Sequence, residues 1–123
     1  MQKIIIDTNA LMAIGEFKLD LFLEIERACD FNYSIIILQG TIDELKEIQA
    51  KQRGKFKRAA KLALSVLKAK NIKIVKSEGH VDNSLVDYSR KGDLVLTQDV
   101  GLKKRLTKPY LIIRQKKKVS MVR

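Results

Sequence analysis

The sequence predicts an α/β fold, a three-layer α/β/α sandwich around a mainly parallel five-stranded sheet. Three observations carry this reading. Short clusters of β-branched and aliphatic residues alternate along the chain with longer segments of helical period. The clusters are nearly continuous in Ile, Val and Leu, as in Ile35 to Leu38, which is the composition of a strand covered by helices on both faces. Finally, the segment 55–70 has a one-sided apolar stripe at the spacing of an α-helix.

Each element follows in order. Lys3 to Asp7 reads as the first strand. Residues 19–29 read as a helix, with Phe22, Ile25 and Cys29 on one face. Ser34 to Leu38 is the second strand. Thr41 opens the next helix, since Thr41 and Glu44 have the spacing of a capping box. From Lys55 to Lys70 the apolar residues Phe56, Ala59, Ala60, Ala63, Leu64 and Leu67 share one face, and the other face is almost entirely Lys and Arg. Ile72 to Val75 is the third strand, Val81 to Lys91 a helix, and Asp93 to Thr97 the fourth strand. A short helix around Leu102 to Leu106 precedes the fifth strand, Tyr110 to Arg114, entered through Pro109. Residues 115–123 form a basic tail that adds a short last strand or moves freely. With no repeat or linker, one domain accounts for all 123 residues.

Composition excludes several classes of function. No aliphatic run approaches a membrane span, no secretion signal is present, and the single cysteine, Cys29, points to a reducing compartment; the expected location is the cytoplasm. The six glycines are too scattered for a dinucleotide fingerprint or a phosphate-binding loop. One histidine, His80, and one cysteine are too few for a zinc site of nitrogen and sulfur ligands. His80 reads as an exposed loop residue and Cys29 as helix packing.

The net charge is +11, and its distribution is uneven. Ten basic residues and no acid lie between Glu47 and Glu78, and nine more without an acid follow Asp99. The rest of the chain holds all 14 acids and only six bases. A basic surface calls for a polyanionic partner. Lys55, Lys57, Arg58 and Lys61 in the first block and Lys103, Lys104 and Arg105 in the second are the candidate contacts for such a partner, though a solvated face is the default reading of a charge run.

The acids fall where strands end and helices begin. Asp7 closes the first strand and Asp99 stands two residues beyond the fourth. Glu44 lies in the first turn of the helix after the second strand, and Asp82 in the first turn of the helix leading to the fourth. Ligands of an open parallel sheet collect beyond the carboxyl ends of its strands. Four carboxylates gathered there repel one another unless a cation neutralises them. An oxygen-only donor set favours Mg²⁺ or Mn²⁺, ions that activate water against a phosphodiester. Each acid also has an ordinary explanation: Asp7 and Asp99 as helix caps, Glu44 as half of a capping box, Asp82 as a first-turn acid on the helix dipole.

The run Ile4-Ile5-Ile6-Asp7-Thr8-Asn9-Ala10-Leu11 resembles the opening of PIN-domain nucleases. Thr41-Ile42-Asp43-Glu44-Leu45 is similar to that family's second acidic position, Val95-Leu96-Thr97-Gln98-Asp99 to its fourth-strand signature, and Leu111 to Lys117 to the ending of its archaeal and eukaryotic branch, which includes the ribosome-processing nuclease Fcf1. The resemblance covers residues 3–118. It implies a sheet of order 3-2-1-4-5 and metal-dependent endoribonuclease activity within the VapC-like superfamily. Asp7, Glu44, Asp82 and Asp99 become the catalytic metal ligands, and Thr8, Asn9, Asn83 and Thr97 their supporting residues. RNA is the implied partner, with a homodimer and either an antitoxin or a pre-ribosomal component as further expectations. Relatives carry a second acid where this chain has Asn83, and another where it has Gly101. Those two departures support an alternative, a catalytically weak RNA-binding scaffold. A receiver-type signalling domain has similar length but needs an acceptor Asp after the third strand, where Val75-Lys76-Ser77 offers none.

Overall fold

The structure is a computed structural model describing residues 1–123. Six strands form one sheet of order β3-β2-β1-β4-β5-β6. They are β1 (Gln2–Ile6), β2 (Tyr33–Leu38), β3 (Lys73–Val75), β4 (Leu94–Leu96), β5 (Tyr110–Arg114) and β6 (Lys118–Val122). All neighbours run parallel except β5 and β6. The expected order is therefore observed and extended by one strand, because the basic tail turns back as an antiparallel hairpin. The turn places Gln115 and Lys116 at φ of 55° and 59°, and Lys117 N–H donates to Arg114 O at 3.0 Å. Two consecutive left-handed residues are the geometry of a type I′ turn, usually marked by Asn-Gly; Gln-Lys carries no such signal.

Six helices cover the sheet: α1 (Thr8–Glu16), α2 (Leu21–Ala28), α3 (Gln39–Lys51), α4 (Gly54–Ala69), α5 (Val81–Arg90) and α6 (Val100–Lys103). The apolar strands divide residue by residue between two cores. Ile4 and Ile6 of β1, Ile37 of β2, and Leu94 and Leu96 of β4 join the α1–α4 layer. Ile5, Ile36, Leu38 and Val95 join the α5–α6 layer. Strict alternation of this kind is required of a pleated strand buried on both faces. No helix is long and apolar enough to cross a membrane.

Helix α1 was not foreseen from the pattern. Its residues from Ala10 to Ile14 are all buried, and a helix with no polar face has no amphipathic period to read. It crosses α4 closely at Gly15, where a Cβ would stand 2.7 Å from the Cα of Ala59. The apolar face of α4 is largely as expected, with Ala59, Ala60, Ala63 and Leu67 buried. Phe56, however, is 42% exposed, because the first turn of α4 lies beside a cleft instead of beneath a neighbour.

Candidate active site

Strand order reverses about β1, with β2 and β3 on one side and β4 and β5 on the other, so a crevice opens beyond the carboxyl ends of β1 and β4. Asp7 follows β1 there and is 6% exposed. Its Oδ1 accepts the Thr8 N–H at 2.7 Å, so it caps α1, and its Oδ2 accepts the Thr97 hydroxyl at 2.9 Å. Burial pushes this carboxyl from 3.8 up to about 6. The hydrogen bonds from Thr8 and Thr97 pull the other way, and the charges of Asp82 and Glu44 add to the rise.

Thr97 is the hub of the crevice. Besides donating to Asp7, its Oγ1 accepts the Asp99 N–H at 3.0 Å. Asn9 Oδ1 accepts the Gln98 N–H at 3.0 Å, tying the start of α1 to the segment after β4. Asp99 itself caps α6, its Oδ1 accepting from Leu102 N–H at 3.1 Å, and its other oxygen has no protein donor.

Glu44 departs from its ordinary explanation. Helix α3 starts at Gln39, two residues before Thr41, so no capping box forms, and the buried Thr41 hydroxyl has no hydrogen-bond partner. Glu44 Oε1 instead accepts the Thr8 hydroxyl at 2.6 Å. Asp82 reaches the same edge because Gly40 lets the 77–81 loop pack on the first turn of α3. A Cβ there would collide with Val81, and Ser77 Oγ accepts the Gly40 N–H at 3.0 Å.

The four predicted acids, with Thr8 and Asn9, line one cleft of about 340 Å³. Asn83 does not; its Oδ1 accepts from Arg105 at 2.7 Å, outside the cleft. Lys55, Lys57, Arg58 and Lys61 are exposed on α4, Lys104 and Arg105 are exposed after α6, and Lys103 is half-buried. Sequence reasoning missed Met12, Glu16, Ile48, Phe56 and His80 as lining residues. Met12 and Glu16 lie on the unforeseen α1, and Phe56 carries the signature of a core position. His80 is an N-cap, its Nδ1 accepting the Asp82 N–H at 3.2 Å. That bond leaves the ring proton of the neutral imidazole on Nε2.

The donor set suits a hard divalent cation in kind: oxygen only and multiply charged. Charge balance supports the fit. The two salt bridges of the molecule join Arg27 to Glu24 and Lys51 to Glu47, so in a chain of charge +11 none of these four acids has a basic side chain in ion-pairing range. No three of the carboxyl groups stand together as a finished cage. Asp7 is fixed by two hydrogen bonds, whereas Glu44 and Asp99 are exposed side chains able to adjust.

The family described as a PIN-like domain matches residues 4–116. Ribonuclease VapC4 of Methanocaldococcus jannaschii is 34% identical, over 95% of this chain and 94% of that protein. Ribonuclease VapC9 of Archaeoglobus fulgidus is 30% identical, over 82% of this chain and 73% of that one. Among solved structures, the PIN domain endonuclease Utp24 superposes with a TM-score of 0.78 over 98% of this chain and 91% of its own, at 22% identity, a likeness of fold. With the reversal of strand order about β1, the acids at that crevice and a match over nearly its whole length, the chain belongs to the PIN-domain ribonuclease family.

Proposed function

We propose that this chain is a Mg²⁺- or Mn²⁺-dependent endoribonuclease that hydrolyses RNA phosphodiester bonds in the cleft of Asp7, Glu44, Asp82 and Asp99. The observation that carries the reading is the unpaired acidic cleft in a strongly basic protein. The ribonucleases among its relatives support RNA as the substrate class. The chemistry that a divalent cation supplies at such a cluster is acidification of a water nucleophile and neutralisation of charge on the phosphodiester.

The chain's own residues do the positioning. Thr97 and the Thr8 N–H hold the Asp7 carboxylate at a set angle, and the Thr8 hydroxyl holds Glu44. Asp99 uses one oxygen for capping and leaves the other without a protein donor in a residue that lines the cleft. Phe56 and Asp99 both line the cleft, so each basic block begins at its rim, where Lys and Arg meet phosphates on either side of the acids.

The test is cleavage of end-labelled RNA with Mg²⁺ or Mn²⁺. Asp7→Asn and Asp99→Asn are expected to abolish it, and Thr97→Val to lower it roughly 10- to 100-fold, as loss of a ligand-orienting hydrogen bond does. Equal cleavage by all four proteins would overturn the assignment, and metal-independent RNA binding without cleavage would establish the scaffold instead. Either cation should also raise the melting temperature of the intact protein more than that of Asp7→Asn. A small antitoxin gene beside this one would mark a toxin-type role, and copurification with pre-ribosomal particles a processing role.

A further inference from the structure

An apolar notch adjoins the acidic cleft. Met12 and Ile48 form part of both, and so does the ring of Phe56; Gln52 completes the notch, whose volume is about 210 Å³. Phe56 stands on the apolar stripe of α4, yet it is 42% exposed and is not among the partly buried residues packed against the core. The segment around it, 51–58, carries Lys51, Arg53, Lys55, Lys57 and Arg58, all exposed, and no acid. Lys55 Nζ lies 5.3 Å from the centre of the Phe56 ring.

We infer that this notch is a base-binding subsite: a nucleobase of single-stranded RNA, next to the phosphate held over the acids, stacks on Phe56 above Met12 and Ile48. The inference rests on the ribonuclease reading for its ligand class. A flat aromatic face with an aliphatic floor accepts any planar heterocycle, and stacking of this kind tolerates every base. Gln52 offers both a donor and an acceptor to the edge of the base. The surrounding cations select a polyanionic chain over an uncharged or basic peptide as the molecule that brings the ring in. Lys55, now over the ring, has only to move aside to meet the adjoining phosphate. Continuity with the acidic cleft sets the register, because a base in the notch and a phosphate over Asp7 belong to neighbouring positions of one strand.

The chain has no tryptophan, so Phe56→Trp introduces a single reporter into the notch. Binding of a short single-stranded RNA is measured in EDTA, where nothing is cut, by fluorescence anisotropy and by quenching of that Trp. Phe56→Ala is expected to weaken binding roughly tenfold and to leave binding unchanged for an oligonucleotide abasic at the position that docks there. Phe56→Trp should bind at least as well as the original, with its emission quenched on addition of RNA. These results would support the subsite whether or not the intact protein cuts RNA when Mg²⁺ is added. Unaltered RNA affinity in Phe56→Ala, or a Trp unquenched by RNA in Phe56→Trp, would overturn it, again independently of cleavage. Matching thermal midpoints of the three proteins establish that the differences come from the notch.

Discussion

Asp7 is a carboxylate placed where a carboxylate costs stability. Its acidity is shifted from 3.8 in an unfolded chain to about 6, chiefly because it is buried. The folded state therefore holds the proton more tightly than the unfolded state, so the stability associated with it is fully present below pH 4 and is lost as pH rises to about 6. Above that the cost is about 3 kcal/mol. Asp7→Asn should therefore be more stable than the original at pH 7.5 without metal, by about 1 to 3 kcal/mol, and equal to it at pH 4. Urea unfolding at a series of pH values checks this; a difference independent of pH would contradict it. The substitution predicted to end cleavage is thus predicted to strengthen the fold. At this scale the sequence was legible where chemistry dictates residue type, and the four acids do line one cleft. It was not legible where a role depends on partners far along the chain. Glu44 looked like a helix cap from its spacing to Thr41 and is instead held by Thr8, 36 residues away.

Helices were readable in proportion to how unevenly they meet water, strands by their continuous apolar runs. Helix α4, with one wet face, was found nearly to the residue; α1, with almost none, was missed. That buried helix has its own vulnerability. At Gly15 the backbones of α1 and α4 approach so closely that a Cβ would meet the Cα and Cβ of Ala59 at 2.7 and 2.9 Å. Gly15→Ala gains about 1 kcal/mol of helix propensity but must push α4 outward, at about 1 to 3 kcal/mol. A net loss of stability, seen as a lower urea midpoint, is expected; a raised midpoint would mean that the crossing has slack. Because α4 carries Phe56 at its first turn, the same substitution should also disturb RNA binding. The hairpin of β5 and β6 was half-legible. Its strands have β-rich sequences, but its turn holds two non-glycine residues in the left-handed region, a choice that no turn rule anticipates.

For the molecule as a whole, charge is arranged by layer of function. Five of the 14 acids line the cleft at the carboxyl end of the sheet, and the two basic blocks hold no acid. If most of the seven Lys and Arg assigned to RNA contact meet phosphates, the logarithm of affinity for single-stranded RNA should fall with the logarithm of salt at a slope of about −4 to −5. A slope shallower than about −1 between low and physiological salt would remove the basic blocks from the interface. Arg105, already bonded to Asn83, should contribute least, which single Ala substitutions can rank. The architecture was the most legible level of all. The mainly parallel sheet follows from the alternation of strands and helices, whereas its order came with the family resemblance and the sixth strand depended on a local turn.

The hydrogen bond between Thr97 and Asp7 spans 90 residues of chain. Asp7 is synthesised about 90 residues before the hydroxyl that orients it and the Asp99 that completes the cleft. Contacts so distant in sequence form late in folding. The cleft therefore stays unassembled until β4 has been made and docked on β1, so closing the centre of the sheet and completing the acidic cluster are one event.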